Sequence, residues 1–177
     1  MMRLLIITLF LFSITLNAQD FPISEKTGKV SYEGVVKVDG VSATDLYIRA
    51  NEWFAKTFNS ANAVIQMQDK EAGKIIGKGW IAVSNMGYDA GGFDFRINFT
   101  AKEGRYRYII TDIEHDKKTS KFSSGGGIEN EKPACGTFLM LKGQWRKLKK
   151  QAHDGITEMH QDLVLYMSET NSEEDDW

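Results

Sequence analysis

Residues 93–113 carry the strictest pattern in the chain, an alternation of large apolar and polar side chains around a short turn. A period of two places successive side chains on opposite faces of a β-strand. Glu103 and Gly104 have the length and composition of a two-residue hairpin turn, which sets Phe99 opposite Tyr108. The pattern therefore predicts an antiparallel hairpin with one apolar face, and a one-residue slip would expose that whole face. A sheet of this kind must be covered on its apolar side by a second layer.

Two segments with helical spacing can supply that cover. The first begins at Ser42, and Asp45 lies three residues later. Together they form a helix start signal in which each side chain can accept a hydrogen bond from a free backbone N–H. The second begins at Gly143. Each has a single apolar stripe, which indicates a helix packed on one side only. The stripes are Leu46, Ala50, Trp53, Phe54 and Phe58 in the first segment, and Trp145, Leu148, Ala152, Ile156, Met159, Leu163 and Tyr166 in the second.

The remaining strands are predicted in residues 28–39, 63–68 and 74–83, and the first of them has β-branched residues with a period of two. Residues 85–92 are predicted to form a loop, and residues 114–141 an irregular excursion that contains Gly and Ser. The fold class is therefore α+β, a two-layer sandwich in the order β-α-β-β-β-β-α. Two helices are expected on one face of a five-stranded, mostly antiparallel sheet.

The N-terminus has the composition of a secretory signal peptide. Arg3 supplies a positive charge, and residues 4–16 form an uncharged apolar run that is too short to span a bilayer as a helix. An uncleaved N-terminal anchor is the alternative interpretation. We expect a signal peptide in residues 1–18, a single domain in 19–168 and an acidic, frayed tail in 169–177. The protein is then exported to the periplasm or the outside of the cell, with no transmembrane segment after cleavage.

The charge and the cysteine content argue against a nucleic-acid-binding protein and against a disulfide-stabilised one. The formal net charge of −2 offers no long-range attraction for nucleic acid. Cys135 is the only cysteine, so an internal disulfide cannot form and stability must come from the core. We therefore expect no nucleic-acid partner.

No arrangement of residues predicts a metal or cofactor site. His153 and His160 are seven residues apart on the predicted second helix, whereas zinc ligands on a helix are three or four apart, and we interpret both as solvated. Asp112, Glu114 and Asp116 alternate around His115 and offer oxygen ligands for a cation, but a charged strand end is the commoner reason for such a pattern. Ser123 to Gly127 has the composition of a flexible linker and lacks the Gly-Lys-Ser/Thr of a phosphate loop.

Several short motifs are spread along the chain. They are Phe21-Pro22-Ile23, Lys29-Val30 with Tyr32, Trp53-Phe54, Gly77-Lys78-Gly79, Arg105-Tyr106-Arg107-Tyr108, and Ile128-Glu129-Asn130-Glu131-Lys132-Pro133 ahead of Trp145. As a set they resemble a bacterial family of exported proteins that is named only as a domain of unknown function with a TATA-binding-protein-like (TBP-like) fold. The resemblance implies this fold and export, and it implies no activity, ligand or catalytic residue. It does not imply DNA binding, because a DNA-binding saddle is a tandem of two such units with wedge phenylalanines.

The polar side of the predicted sheet is the candidate site. An exposed Trp among arginines has the composition of an interface hot spot. This surface predicts a non-catalytic binding or assembly module of the bacterial envelope, whose partner is an unidentified envelope protein or small ligand. The residues expected on it are Lys78, Trp80, Arg96, Asn98, Arg105 and Arg107.

Two other functions stay open on the sequence alone. The first is a carrier of a small apolar ligand held between the sheet and the second helix, where Gly77 and Gly79 would leave room. The second is an enzyme of unfamiliar type. We expect that the protein is not an enzyme, because no nucleophile with a positioned base and no acid pair is apparent.

We expect the chain to be exported and cut after Ala18. Protein recovered from the periplasm or the medium of bacterial cells should then begin at Gln19, which mass spectrometry of the intact protein measures. A variant that lacks residues 2–18 is the control and should stay in the cytoplasm. Full-length protein retained in the membrane fraction would instead support the N-terminal anchor.

Overall fold

The computed structural model describes residues 21–58, 64–116 and 124–168, so the predicted signal peptide and acidic tail lie outside the described residues. Two helices and six strands make up this part of the chain. No helix within it has the length and apolar composition needed to cross a membrane. The helices are α1 (Ala43–Thr57) and α2 (Lys142–Ser168); the strands are β1 (Tyr32–Lys37), β2 (Ile65–Asp69), β3 (Lys74–Asn85), β4 (Tyr88–Lys102), β5 (Arg105–Asp116) and β6 (Gly126–Gly127).

The strands form one antiparallel sheet in the order β1-β5-β4-β3-β2, and the two-residue strand β6 pairs with the end of β5. The predicted hairpin register is confirmed, since Phe99 lies opposite Tyr108 and Ile97 opposite Ile110. Helices α1 and α2 both contact the sheet and each other. The fold is therefore the predicted α+β sandwich, with one short strand more than the five expected.

The helix α1 begins as its sequence predicts. The side chain of Ser42 accepts a hydrogen bond from the backbone N–H of Asp45 at 3.1 Å. The Asp45 carboxylate in turn accepts a hydrogen bond from the Ser42 hydroxyl, at 2.7 Å, rather than from the backbone N–H that a full capping box would use. This cap fixes the first turn of α1, whose apolar stripe is buried against the sheet.

The apolar face of the predicted hairpin and the apolar stripes of the two helices meet in one layer between the sheet and the helices, as the pattern predicts. Trp53 and Trp145 are completely buried, and Trp53 Nε1 donates a hydrogen bond to Asp162 Oδ2 on α2 at 2.7 Å. Phe58 is half-buried and packs against this layer. The other predicted members are all buried: Phe54, Phe95, Ile97, Phe99, Tyr108 and Leu148.

The sequence predicts room for a small apolar ligand beside Gly77 and Gly79. This prediction, which supported an apolar carrier, is wrong because aromatic rings fill the space. A Cβ on Gly77 would lie 2.7 Å from Cε1 of Phe54, and a Cβ on Gly79 would lie 2.1 Å from Cζ of Phe95. Both glycines face the core, and the lack of a side chain lets these rings press against the backbone of β3.

The loop predicted for residues 85–92 is wrong. Strands β3 and β4 continue into a tight hairpin at Met86 and Gly87, whose φ angles are 53° and 83°. Positive φ at both central residues suits the right-handed twist of the flanking strands. Sequence reasoning missed the turn because Met is not a residue that usually adopts this conformation.

Two parts of the predicted irregular excursion are regular strand. The strand β5 continues to Asp116, and Gly126 and Gly127 pair with its end as β6. A Cβ on Gly125 would lie 2.4 Å from the Trp145 ring, so this glycine is a packing residue rather than part of a flexible linker. Residues 117–123 lie outside the described residues.

We expect Trp53→Ala to lower the free energy of unfolding by about 3–5 kcal/mol, from lost burial and the cavity left behind. A typical domain has a total stability of only about 5–15 kcal/mol, so this variant should be marginally stable. Arg105→Ala, on the opposite face of the sheet, should change it by no more than about 0.5 kcal/mol. Urea melts of the two variants make the comparison. If Arg105→Ala unfolded easily while Trp53→Ala did not, the assignment of the two faces would be inverted.

Candidate functional site

All six residues predicted for the site lie on the outer face, the side of the sheet turned away from the helices. Alternation places them there, because the residues between them, such as Phe95 and Ile97, are buried under α1 and α2. The outer face carries Lys78 and Trp80 of β3, Arg96 and Asn98 of β4, and Arg105 and Arg107 of β5.

The strand registers divide these six residues between the two ends of the outer face. One end lies toward the β3–β4 turn and the other beside the β4–β5 turn. Asn98 lies between the two groups, and its cross-strand neighbours Ile76 and Ile109 are apolar. The first end has Lys78, Trp80 and Arg96, and the second has Arg105 and Arg107.

The first end is an open, mixed-charge cleft of about 600 Å³. Its cations already face carboxylates: Lys78 Nζ lies 3.7 Å from Asp94, and Arg96 lies 3.8 Å from Asp112. Lys29 also bonds Asp112, at 2.9 Å, which raises the pKa of Lys29. Glu114 and Asp116 also line the cleft, so four carboxylates face three cations and the cleft does not attract an acidic partner.

Trp80 is half-buried and does not project as an exposed anchor. Its ring lies against the backbone of β4, where a Cβ on Gly92 would be 2.3 Å from Cε2 of the indole. The indole Nε1 is buried and has no hydrogen-bond partner among the described residues. The expectation of an exposed Trp is therefore wrong, because Gly92 provides a flat surface that the ring covers.

The second end carries a row of three exposed cations, which we name the basic row: Lys37 of β1, Arg105 of β5 and Lys102 of β4. Arg105 lies directly opposite both lysines in the sheet. No ion pair involves any of the three within the described residues. The nearby Glu103 accepts a hydrogen bond from the backbone N–H of Ala43 at 3.1 Å, at the start of α1.

Like charges directly opposite one another destabilise a sheet, so the basic row costs stability. Arg107, in the next row of side chains, differs from these three cations because it forms a salt bridge with Glu33 at 3.1 Å. The sequence identified Arg105, and the predicted hairpin register already placed Lys102 opposite it. Lys37 was missed, because only the long-range pairing of β1 with β5 brings it into the row.

A shallow groove of about 360 Å³ adjoins the basic row. Val35 and Thr100 give it a partly apolar lining, and the side chain of Val35 is 64% exposed. Cations beside an exposed apolar residue can bind an acidic segment that also carries an apolar side chain. The groove is lined by Val35, Thr100, Lys102, Arg105, Tyr106 and Arg107.

His115 does not join the carboxylates beside it in sequence. It points into the core, where Nε2 donates to the carbonyl of Ala90 and Nδ1 accepts from the N–H of Gly125, both at 2.9 Å. Burial lowers the pKa of His115, so the ring is held neutral. No group of three or more potential metal ligands occurs in the described part of the chain.

A second cleft, of about 480 Å³, lies between β1 and α2 and was not anticipated. The hydroxyl of Tyr32 is 2.6 Å from Nδ1 of His153, and His160 stacks on Tyr108. Both histidines are half-buried, so the interpretation that they are solvated is wrong. Burial raises the pKa of Tyr32 and lowers that of His153, so the two form a neutral hydrogen-bonded pair.

The fold and the outer face define a class, a two-layer α+β protein whose antiparallel sheet is covered on one side only by the described residues. Residues 32–116 match the model of the family described as a domain of unknown function (DUF4468) with TBP-like fold. This match confirms the family resemblance that the sequence motifs predicted. No match was found among curated proteins.

Two solved structures are similar to this chain. One is a DUF4468 family protein from Bacteroides ovatus, with 19% identity, a TM-score of 0.61, and coverage of 85% of this chain and 92% of that chain. The other is a TBP-like protein from Parabacteroides distasonis, with 17% identity, a TM-score of 0.65, and coverage of 84% and 98%. At these identities the likeness shows the fold alone.

The buried neutral His115 predicts a loss of stability in acid. Its pKa is depressed in the folded state, so the unfolded chain takes up the proton first, and the free energy of unfolding should fall as the pH drops below about 6.5. Urea melts from neutral to mildly acidic pH measure the slope. In His115→Gln this position cannot titrate, so the free energy of unfolding should fall less steeply with pH. His153 should supply the part of the slope that remains, in the same direction. A slope as steep as that of the wild type would contradict this role for His115.

Proposed function

We propose that this protein is a non-catalytic binding module of the bacterial envelope, and that it binds an acidic protein segment at the second end of its outer face. The observation that carries the proposal is the basic row. Lys37, Arg105 and Lys102 are exposed, lie in register on three adjacent strands and have no carboxylate partner within the described residues.

The cost of the basic row supports a binding role. Three adjacent cations repel one another in the free protein, and carboxylates of a partner would relieve that repulsion on binding. The Arg107–Glu33 pair in the next row shows that this sheet can place a carboxylate beside an arginine. The exposed Val35 beside the row adds an apolar contact for a segment that lies across the strands.

The envelope location is supported by the composition of the N-terminus. Residues 1–18 have the charged start and apolar run of a signal peptide. A binding surface built from charges rather than from a deep cavity also fits a protein partner better than a small molecule.

The Tyr32–His153 pair favours an enzyme as the second candidate function, because a hydroxyl and an imidazole in contact within a cleft can transfer a proton. Their pKa shifts argue against it. Burial raises the pKa of Tyr32 and lowers that of His153, so the phenol is a weak acid and the imidazole a weak base at neutral pH. A hydrolase activity in the pure protein that Tyr32→Phe abolished would establish this alternative.

The binding proposal predicts a salt-sensitive interaction with acidic peptides. Fluorescence anisotropy with a labelled oligo-glutamate peptide that contains one leucine measures the affinity. Removing two of the three cations, in Lys102→Ala/Arg105→Ala, should weaken binding by about tenfold or more, which corresponds to about 1.4 kcal/mol. Lys26→Ala/Lys132→Ala, two exposed lysines outside the row with the same loss of charge, is the matched control and should bind like the wild type.

Equal affinity of all three proteins would refute the basic row as the binding surface. A further variant that ends at Ser168 tests whether the acidic residues 169–177 of the chain itself compete for the row. If they do, the truncated protein should bind the peptide more tightly than the full chain, and the effect should vanish in Lys102→Ala/Arg105→Ala.

A further inference from the structure

We propose that two copies of this chain pair through the free edge of β1, so that two sheets join into one across a twofold axis at Val35. The inference concerns the edge of the sheet rather than its outer face, and it does not depend on the proposed function. It rests on the direction of the backbone groups of β1, on the regularity of this edge and on the charges along it.

The backbone groups of alternate residues in β1 point away from the sheet. The N–H of Val38 donates to the carbonyl of Gly104 at 2.9 Å, which places the even-numbered residues of β1 in hydrogen-bonded pairs with β5. The N–H of Ser31 points the other way and donates to the carbonyl of Pro22 at 2.8 Å. By the same alternation, Glu33, Val35 and Lys37 present their N–H and C=O groups to the free edge.

The two edges of the sheet differ in their capacity to pair. At the other edge, β2 is interrupted by a bulge between Ile65 and Met67, and bulges are a common device against edge-to-edge pairing. The strand β1 has an uninterrupted register from Tyr32 to Lys37, contains no proline, and leaves the side chain of Val35 64% exposed. Within the described part of the chain, no strand pairs with the outer edge of β1.

The free edge is complementary to itself. When two copies pair antiparallel with Val35 opposite Val35, Glu33 of each copy lies opposite Lys37 of the other. Each of these pairs can exchange both backbone hydrogen bonds, and each Glu–Lys pair joins opposite charges across the strands. The available length also matches, because Pro22 covers the edge at Ser31 and the chain turns away at Gly40, where φ is 78°.

A contact that is one strand wide is small, so we expect the dimer to form and dissociate with concentration rather than to be permanent. In the dimer, the exposed side chain of Val35 is covered by its counterpart. The two outer faces become continuous, which places one basic row on each side of the twofold axis.

Sedimentation of the purified protein over a concentration series tests the pairing. The wild type should shift from the mass of one chain to twice that mass as the concentration rises. Val35→Pro should stay at the mass of one chain, because proline removes the central N–H. The fold should survive, since that N–H faces away from β5 and proline is tolerated on edge strands. Circular dichroism and a urea melt confirm that the variant is folded.

Charge reversal separates β1 pairing from other modes of association. Glu33→Lys should abolish the dimer by opposing Lys37 of the second copy, and the double variant Glu33→Lys/Lys37→Glu should restore it. Glu71→Lys makes the same charge change beside β2 and should dimerise like the wild type. A wild type that remains monomeric at all concentrations, a dimer that survives Val35→Pro, or a double variant that stays monomeric would overturn the proposal.

Discussion

The structure depends on the close packing of aromatic rings against glycines in the sheet. Phe54 and Phe95 press on Gly77 and Gly79 of β3, and Trp145 presses on Gly125. Each ring occupies the volume that a Cβ would need, so an alanine at these glycines would push a core ring or a strand aside. This packing brings α1 and α2 close to one face of the sheet and excludes water from it, and it thereby decides which face is free to carry charge.

The outer face carries charge in two different ways. Toward the β3–β4 turn, cations and carboxylates are interleaved, as in Lys78 with Asp94, and carboxylates are in slight excess. Beside the β4–β5 turn, the basic row sets three cations side by side. A row of like charges lowers the stability of the fold, and such a row is retained when it serves a function or when the fold tolerates the lower stability.

The proposed functions use separate parts of one sheet. A partner segment would contact side chains of the basic row on the outer face, whereas a second copy would contact the backbone of β1 at the edge. Lys37 belongs to both, because its side chain lies in the row and its backbone groups point to the free edge. Pairing of two copies would therefore bring Glu33 of the second copy close to the basic row. Its negative charge would couple dimer formation to the binding of an acidic segment.

The sequence by itself determined the elements whose contacts are local. The register of β4 with β5, the start of α1 at Ser42 and the six outer-face positions follow from alternation, a two-residue turn and a side-chain cap, all of which act within a few residues. Only the tertiary structure decided what depends on distant segments. The pairing of β1 with β5 brought Lys37 next to Arg105. The segment expected to be a flexible linker is instead packed, because Gly125 lies against the Trp145 ring. Composition cannot distinguish a glycine that is free from one that a ring covers, because the covering ring lies elsewhere in the chain.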